Sequence, residues 1–344
     1  MRGGVALGTM AFLLLPAACA GGNAIQDQTV KPPSSFEIPF DGPGQLATIW
    51  SWGRDRPDGE RALVLTAQGQ SRRAEIKTPD RVRWRSPAEL IVEQSVQPVR
   101  DGSGTRILRV SREGKVLEIL SDREGLAGAE PSPDGGRVLL ERYDLRGFRG
   151  IEVRSLVHDF QLLTTHPRPT GPAMGSVVTP PVWSPDGSNF AAGVYVANPP
   201  KEPGRLYPRL AIAACDAPGY ARLPDSPSGQ EPLEGGVIPV FWNKDGIYVR
   251  QAKIGSGLLR CDPGGSACTP VYSPGEHRAV LEGRPAADGR ALLLVKDFRV
   301  DPLEVRAKEL HEVNLSTGKG RVLLRLPDGV FISDLDWIGD TGAH

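Results

Sequence analysis

Pro181-Val182-Trp183-Ser184-Pro185-Asp186-Gly187 is the stretch whose reading decides the fold. An apolar strand runs into Trp183, Ser184 to Gly187 reverses the chain, and Asn189 to Val196 departs as a second strand. Proline presets φ for a turn, aspartate accepts from backbone amides, and glycine tolerates positive φ. The stretch is therefore a hairpin. Degraded copies recur at Pro131 to Gly135, Trp242 to Gly246, Ala286 to Gly289 and Trp337 to Asp340. Self-similarity at a spacing of tens of residues means an array of like units rather than one irregular core.

Preceded by Leu162-Leu163-Thr164 and a long polar loop, the hairpin at Trp183 resembles the repeat of TolB-like β-propellers. The resemblance covers most of residues 46 to 340. It implies a propeller of four-stranded antiparallel blades and a tendency to bind partners, and it carries no particular activity. Full-length members of that family carry an α/β domain ahead of the propeller, whereas here only a spacer separates the leader from the first strand.

The strands can be parsed around the repeats. The Trp183 hairpin continues into Arg209 to Cys215 and Tyr220 to Leu223. A blade before it uses Val138 to Arg142, Gly150 to Leu156 and Phe160 to Thr164. Earlier still come Arg81 to Arg85, Leu90 to Gln94, Arg106 to Ser111 and Val116 to Leu120. Two later blades span Val237 to Tyr272 and His277 to Leu326. Leu46 to Trp52, Ala62 to Thr66 and Arg72 to Lys77 supply three outer strands of a last blade, and Val330 to Ile338 supplies its innermost strand. Such a shared blade closes the ring and removes exposed sheet edges. The expectation is an all-β, six-bladed propeller. Seven blades would need further strands hidden in the loops.

Composition agrees with one large β domain. Short Val, Leu and Ile runs are bounded by Gly and Pro, and no long segment carries a helical apolar period. The 41 Gly and 32 Pro are turn punctuation, and a hydrophobic content of 39% argues against disorder.

Residues 1–19 read as an export signal: Arg2, an apolar run from Val5 to Leu15, then small residues. Leu15-Pro16-Ala17-Ala18-Cys19 resembles a bacterial lipobox, which implies lipidation of Cys19, although Pro16 stands where Leu is usual. Cleavage after Ala20 is the rival, giving a soluble periplasmic or secreted protein. Residues 20–45 read as a flexible tether, with Phe36 to Phe40 as the first candidate for order, and 46–340 as the propeller. The expected location is the cell envelope, lipid-anchored to a bacterial membrane.

Cys261 and Cys268 flank Asp262 to Ala267 in an outer hairpin, a spacing that suits a disulfide in an oxidising compartment. Free thiols are the alternative, and a metal site lacks two further ligands. Cys215 has no evident partner and reads as a buried thiol.

Lys+Arg 41 against Asp+Glu 41 gives a formal net charge of +0, so no general attraction to nucleic acid is expected. Catalytic constellations are sparse. His311-Glu312 begins a zinc-protease pattern but lacks the second His and lies in a strand. No Gly-x-Ser-x-Gly elbow occurs. Asp334 and Asp336 alternate on one strand face near the ring's centre, where strand-end solvation or turn capping is the plainer role. The repeated Asp134, Asp186, Asp245 and Asp288 are turn residues. No cofactor, metal site or catalytic residue is assigned.

Loop length is more informative. In a propeller the first-to-second and third-to-fourth connections share one end of the ring, and the remaining connections share the other. The long segments Tyr143 to Arg149, Thr165 to Val178, Asn198 to Pro208, Pro224 to Gly236 and Phe298 to Ala307 all fall on the second end. They offer Tyr143, Arg146, Phe148, Arg149, His166, Arg168, Tyr207, Arg209, Phe298 and Arg299, residue types enriched at interfaces. The sequence thus points to a monomeric, non-enzymatic envelope protein that engages a protein, peptide or envelope polymer through this face or the central channel. A carbohydrate-active propeller enzyme and a passive surface module are the alternatives.

Overall fold

The structure is a computed structural model, and it describes residues 32–40, 42, 44–53, 60–99, 102–123, 125–144, 147–168, 174–177, 181–197, 206–222, 236–251, 254–263, 268–286, 288–299 and 306–339. The leader, Cys19, the tether up to residue 31 and Arg146 lie outside the described residues.

The chain alternates short apolar strands with Gly- and Pro-bearing turns, and the strands pair with their sequence neighbours. The first sheet begins with β1 (Gln45–Trp52), β2 (Glu60–Ala67) and β3 (Gln70–Arg73). The second blade is β4 (Pro79–Ser86), β5 (Glu89–Val99), β6 (Gly102–Ser111) and β7 (Val116–Ser121). The third is β8 (Leu126–Pro131), β9 (Arg137–Asp144), β10 (Gly147–Ser155) and β11 (Leu162–Pro167).

In the fourth blade the innermost position is split between β12 (Met174–Val177) and β13 (Val182–Trp183), both pairing with β14 (Asn189–Ala197). Strands β15 (Leu206–Ala214) and β16 (Ala221–Arg222) complete it. The fifth is β17 (Val237–Asn243), β18 (Gly246–Gln251), β19 (Leu258–Cys261) and β20 (Cys268–Tyr272). The sixth is β21 (Arg278–Pro285), β22 (Arg290–Asp297), β23 (Glu309–Asn314) and β24 (Gly320–Arg325). Finally β25 (Val330–Ile338) returns to pair antiparallel with β1, from Gln45↔Ile338 to Trp52↔Val330. The result is the expected six-bladed ring, closed by a blade that both ends of the chain share.

Each strand's alternating side chains serve two interfaces. Along β2, Ala62 and Val64 pack toward the sixth blade, whereas Leu63 and Leu65 pack toward the second. The run Leu292-Leu293-Leu294-Val295 divides in the same way between the first and fifth blades. The apolar residues accordingly fall into separate clusters, one at each interface between neighbouring blades. Burial on both sides explains why these strands are continuously apolar rather than alternating.

Residues 36–40 join the core without pairing as a strand. Phe36 meets the Trp50 ring edge-on at 5.3 Å and Phe40 meets Trp337 at 5.3 Å, with Ile38 and Phe40 both buried. This segment packs on the closing blade and covers the seam between the two ends of the chain.

The repeated turns hold themselves. Ser184 Oγ donates to Asp186 Oδ1 (2.6 Å) and accepts from Asn189 N (2.9 Å), while Ser188 N donates to the same carboxylate (3.0 Å). Ser132, Asp134, Gly136 and Arg137 repeat this geometry one blade earlier. Gly187 and Gly135 take φ of 67° and 68°, which their turns require. Arginines link successive turns: Arg85 Nε donates to Gly135 O (2.9 Å), and Arg137 Nη2 to Gly187 O (2.7 Å).

The Cys261–Cys268 disulfide is present between directly opposed residues of β19 and β20. Cys215 is a buried free thiol whose pKa burial pushes up to about 12, leaving it unreactive.

Candidate functional site

The innermost strands face the axis of the ring, and one edge of each lacks a sheet partner. Donors on that edge still need acceptors. Asp334 and Asp336 supply them across the blade boundary: Val82 N donates to Asp334 Oδ2 (2.7 Å) and Trp84 N to Asp336 Oδ2 (2.5 Å). The two carboxylates therefore link β25 to β4. They neither solvate a strand end nor cap a turn, as the sequence had suggested, because the ring closure buries them.

Arg83 is the hub. Its side chain is only 2% exposed, and its guanidinium reaches Asp334 (2.7 Å), Glu130 on β8 (2.7 Å) and Glu282 on β21 (2.5 Å). Arg284 contacts Glu130 (3.0 Å) and Glu282 (3.4 Å), with its Nε 3.2 Å from Asp336. Arg81 adds a 2.9 Å contact to Glu130. Four inner strands thus fill the axis with a charged network, and a guanidinium's planar fork suits such multiple carboxylate contacts.

Carboxylates outnumber guanidiniums here, and their pKa values separate accordingly. Burial would push Glu130 up, but Arg284, Arg83 and Arg81 together hold it down to about 2. Glu282 moves the other way: burial and the neighbouring Asp334 carboxylate raise it to about 7 against the pull of the arginines. Burial likewise raises Asp336 to about 6. The axis is therefore a protonatable ionic core. Among the described residues no group of three His, Cys, Asp or Glu is arranged to hold a metal ion.

The residues of the long-loop face distribute unevenly. Tyr143 and Phe148 pack edge-on at 5.7 Å, Phe148 being buried and Tyr143 exposed with its hydroxyl on Glu141 (2.5 Å). Strands β9 and β10 run through the segment read as a long loop, leaving only residues 145 and 146 between them. Arg149 is partly exposed and pairs with Asp144 (2.5 Å). Arg168 and Arg299 are exposed, and Phe298 lies partly exposed under the Lys296 ammonium, 4.2 Å from its ring centroid. His166 is 0% exposed, its ring set edge-on to Phe190 at 4.8 Å, and Arg209 is buried too. Tyr207 begins β15 beside Leu206, and its side chain lies outside the described residues.

His311 belongs to packing between the fifth and sixth blades. Its Nδ1 meets the Tyr272 hydroxyl at 2.6 Å and its Nε2 meets Glu309 at 2.8 Å, while burial lowers its pKa.

The axial network went unrecognised in the sequence, although a signal was present. Arg81-x-Arg83, Glu282-x-Arg284 and Asp334-x-Asp336 each place charges two apart, and each pair lies on an innermost strand, β4, β21 and β25. Period-two charges on a strand with no solvent on either side must meet opposite charges.

A six-bladed propeller whose axis is filled by its own ion pairs is the class that fold and site define. TolB from Acinetobacter baumannii superposes with a TM-score of 0.53 at 14% identity, over 87% of this chain and 68% of that one. A putative TolB from Agrobacterium tumefaciens gives 0.53 at 15% identity, over 86% and 99%. The β-propeller domain of the Trilobed protease from Pyrococcus furiosus gives 0.52 at 11%, over 83% and 96%. No family model and no curated protein matches the chain by sequence. The fold is that of the TolB-like propellers, and at these identities the likeness is one of fold.

Proposed function

We propose that this chain is an exported envelope protein, anchored through lipidated Cys19, that binds a protein, peptide or envelope polymer on the long-loop face of its propeller and catalyses no reaction. One observation carries the reading. The axis is occupied by Arg83 and its carboxylates, and the repeated turns satisfy their own donors, which favours the exposed arginine and aromatic side chains of the long-loop end as the binding groups. Arg168, Arg299 and Tyr143 are exposed there, with Phe298 and Arg149 partly so. Aromatic and Arg side chains of this kind anchor interfaces. The disulfide supports an oxidising compartment.

The test is capture of partners from the native envelope by the acylated protein, compared with an Arg168→Glu/Arg299→Glu variant of unchanged thermal stability. Loss of captured partners in the variant is the expected result. Equal recovery would refute the assignment of this face.

A further inference from the structure

At the short-turn end of the ring the first and second blades enclose a cleft of about 970 Å³. Its lips are third-to-fourth connections: Gln68 and Gln70 at the turn from β2 to β3 on one side, Arg112 and Glu113 between β6 and β7 on the other. The two sides are tied together. Arg72 Nη2 donates to Arg112 O across the blade boundary. Gly114, with φ +81°, brings the second turn so close to the first blade that a Cβ there would lie 2.6 Å from the Ala74 Cβ. The cleft is therefore preformed.

The groups left over inside it select a ligand chemistry. Its larger apolar lining is sealed into the core, Leu46 being 0%, Leu65 5% and Trp84 7% exposed, so it offers no hydrophobic wall to an apolar side chain. The charged groups are already engaged, with Arg112 Nε on Glu113 (2.8 Å) and Arg72 on the Arg112 carbonyl. The Thr66 and Ser71 hydroxyls bond each other at 2.8 Å. What remain are the carboxamides of Gln45, Gln68 and Gln70, none of them bonded to another described residue, and the Trp84 indole N–H, buried without an acceptor among the described residues. A carboxamide sets a donor beside an acceptor, whereas the indole N–H only donates. Gln68 also holds φ 50°, a left-handed conformation that costs an L residue about 1–2 kcal/mol and that glycine would adopt freely. A matching ligand is uncharged, dense in groups that both donate and accept, and independent of apolar pockets. A glycan has that chemistry, since two adjacent hydroxyls present a donor and an acceptor to one carboxamide. A bound peptide draws its specificity from side-chain pockets, which this cleft lacks. The volume admits more than a single sugar ring. We propose that this cleft between blades binds an uncharged stretch of glycan, with Gln68 and Gln70 on its hydroxyls and the Trp84 N–H taking an acceptor at the floor. The site is separate from the long-loop face and goes beyond the function proposed for that face.

Maltotetraose and chitotetraose serve as neutral glycan probes and N-acetyl-tetraalanine amide as an uncharged peptide, each titrated calorimetrically against the full chain in a detergent without a sugar headgroup. At least one tetrasaccharide should bind with a Kd of about 1 mM or tighter, and at least about tenfold more tightly than the peptide. Gln68→Gly and Gln70→Ala should each weaken the saccharide about three- to tenfold, the worth of one neutral hydrogen bond. Because glycine relieves the left-handed strain, the thermal stability of Gln68→Gly should not fall, which separates a lost contact from a damaged fold. The Trp84 indole N–H resonance, assigned by its absence from Trp84→Phe, should move on saturation with the saccharide. No saccharide binding at about 10 mM, or a peptide bound as tightly as the better saccharide, would overturn the proposal. So would unchanged affinity in both glutamine variants, or a stationary Trp84 resonance. None of these readings depends on envelope capture at the long-loop face.

Discussion

Replacing Arg83 by Met removes the one cation that, among the described residues, touches Glu130, Glu282 and Asp334 together, while keeping most of the side-chain volume. Breaking a buried ion pair from one side costs about 3–5 kcal/mol, because the remaining charge stays desolvated. Here the abandoned carboxylates have an escape, which sets a pH dependence. A carboxyl kept neutral in the folded state but ionised in the unfolded state, with an unfolded pKa near 4.5, costs about 1.36 kcal/mol per pH unit above that value. The cost is therefore about 5 kcal/mol at pH 8 and about 1.4 kcal/mol at pH 5.5. Because the folded pKa is the raised one, stability falls as pH rises until the folded pKa is passed. Urea unfolding followed by tryptophan fluorescence should show Arg83→Met losing about 3–5 kcal/mol against wild type at pH 8 and recovering about 3 kcal/mol of that at pH 5.5. A loss below about 0.5 kcal/mol at pH 8 would place the variant among neutral surface changes and refute the hub assignment. A loss that does not change with pH would refute the ionic explanation of it.

Glu282→Gln tests the same network from the other side. With the folded pKa at about 7, wild type should lose stability as pH rises from about 4.5 to about 7. The side chain is 24% exposed, so the Gln variant should be more stable at pH 8 by about 1–2 kcal/mol rather than the full shift, and equal at pH 4. Higher wild-type stability at pH 8 would count against it. Glu130 works in the opposite direction: its pKa of about 2 gives stability that is present above about 4.5 and lost on further acidification, so Glu130→Gln should flatten the acid limb of the unfolding profile. Reducing the Cys261–Cys268 bond, or replacing both cysteines by Ser, should cost about 2.5 kcal/mol for so short a loop, read by denaturation with and without dithiothreitol. Gly44 has φ +94° and a Cβ there would come 2.0 Å from Ile338 O, whereas Gly53 has φ +77° with nothing within 4 Å. Gly44→Ala should therefore destabilise by more than about 1 kcal/mol and by clearly more than Gly53→Ala, and equal losses would show that the seam tolerates the contact.

Local order alone determined much of this protein. The turn chemistry of Ser184-Pro185-Asp186-Gly187 and its weaker copies depends on residues within five positions of one another, so hairpins, blade boundaries and the number of blades could be read directly. The Cys261–Cys268 pairing is equally local, spanning a separation of 7 residues across one hairpin. Even the closing partnership of β1 with β25 followed from counting strands, since a ring cannot leave edges unpaired. The interior of the axis was different. Arg83 and Asp334 are 251 residues apart, Arg83 and Glu282 are 199, and no local pattern says that they touch. A charge on an outer strand can stay exposed instead, as Glu118 on β7 does. Tertiary packing also decided which residues of the long-loop face remain available, burying His166 and Arg209 while Arg168 and Arg299 stay exposed. Sequence fixes a hairpin through contacts its own residues make. A charge acquires its role only when closure removes water and decides which opposite charge lies within reach.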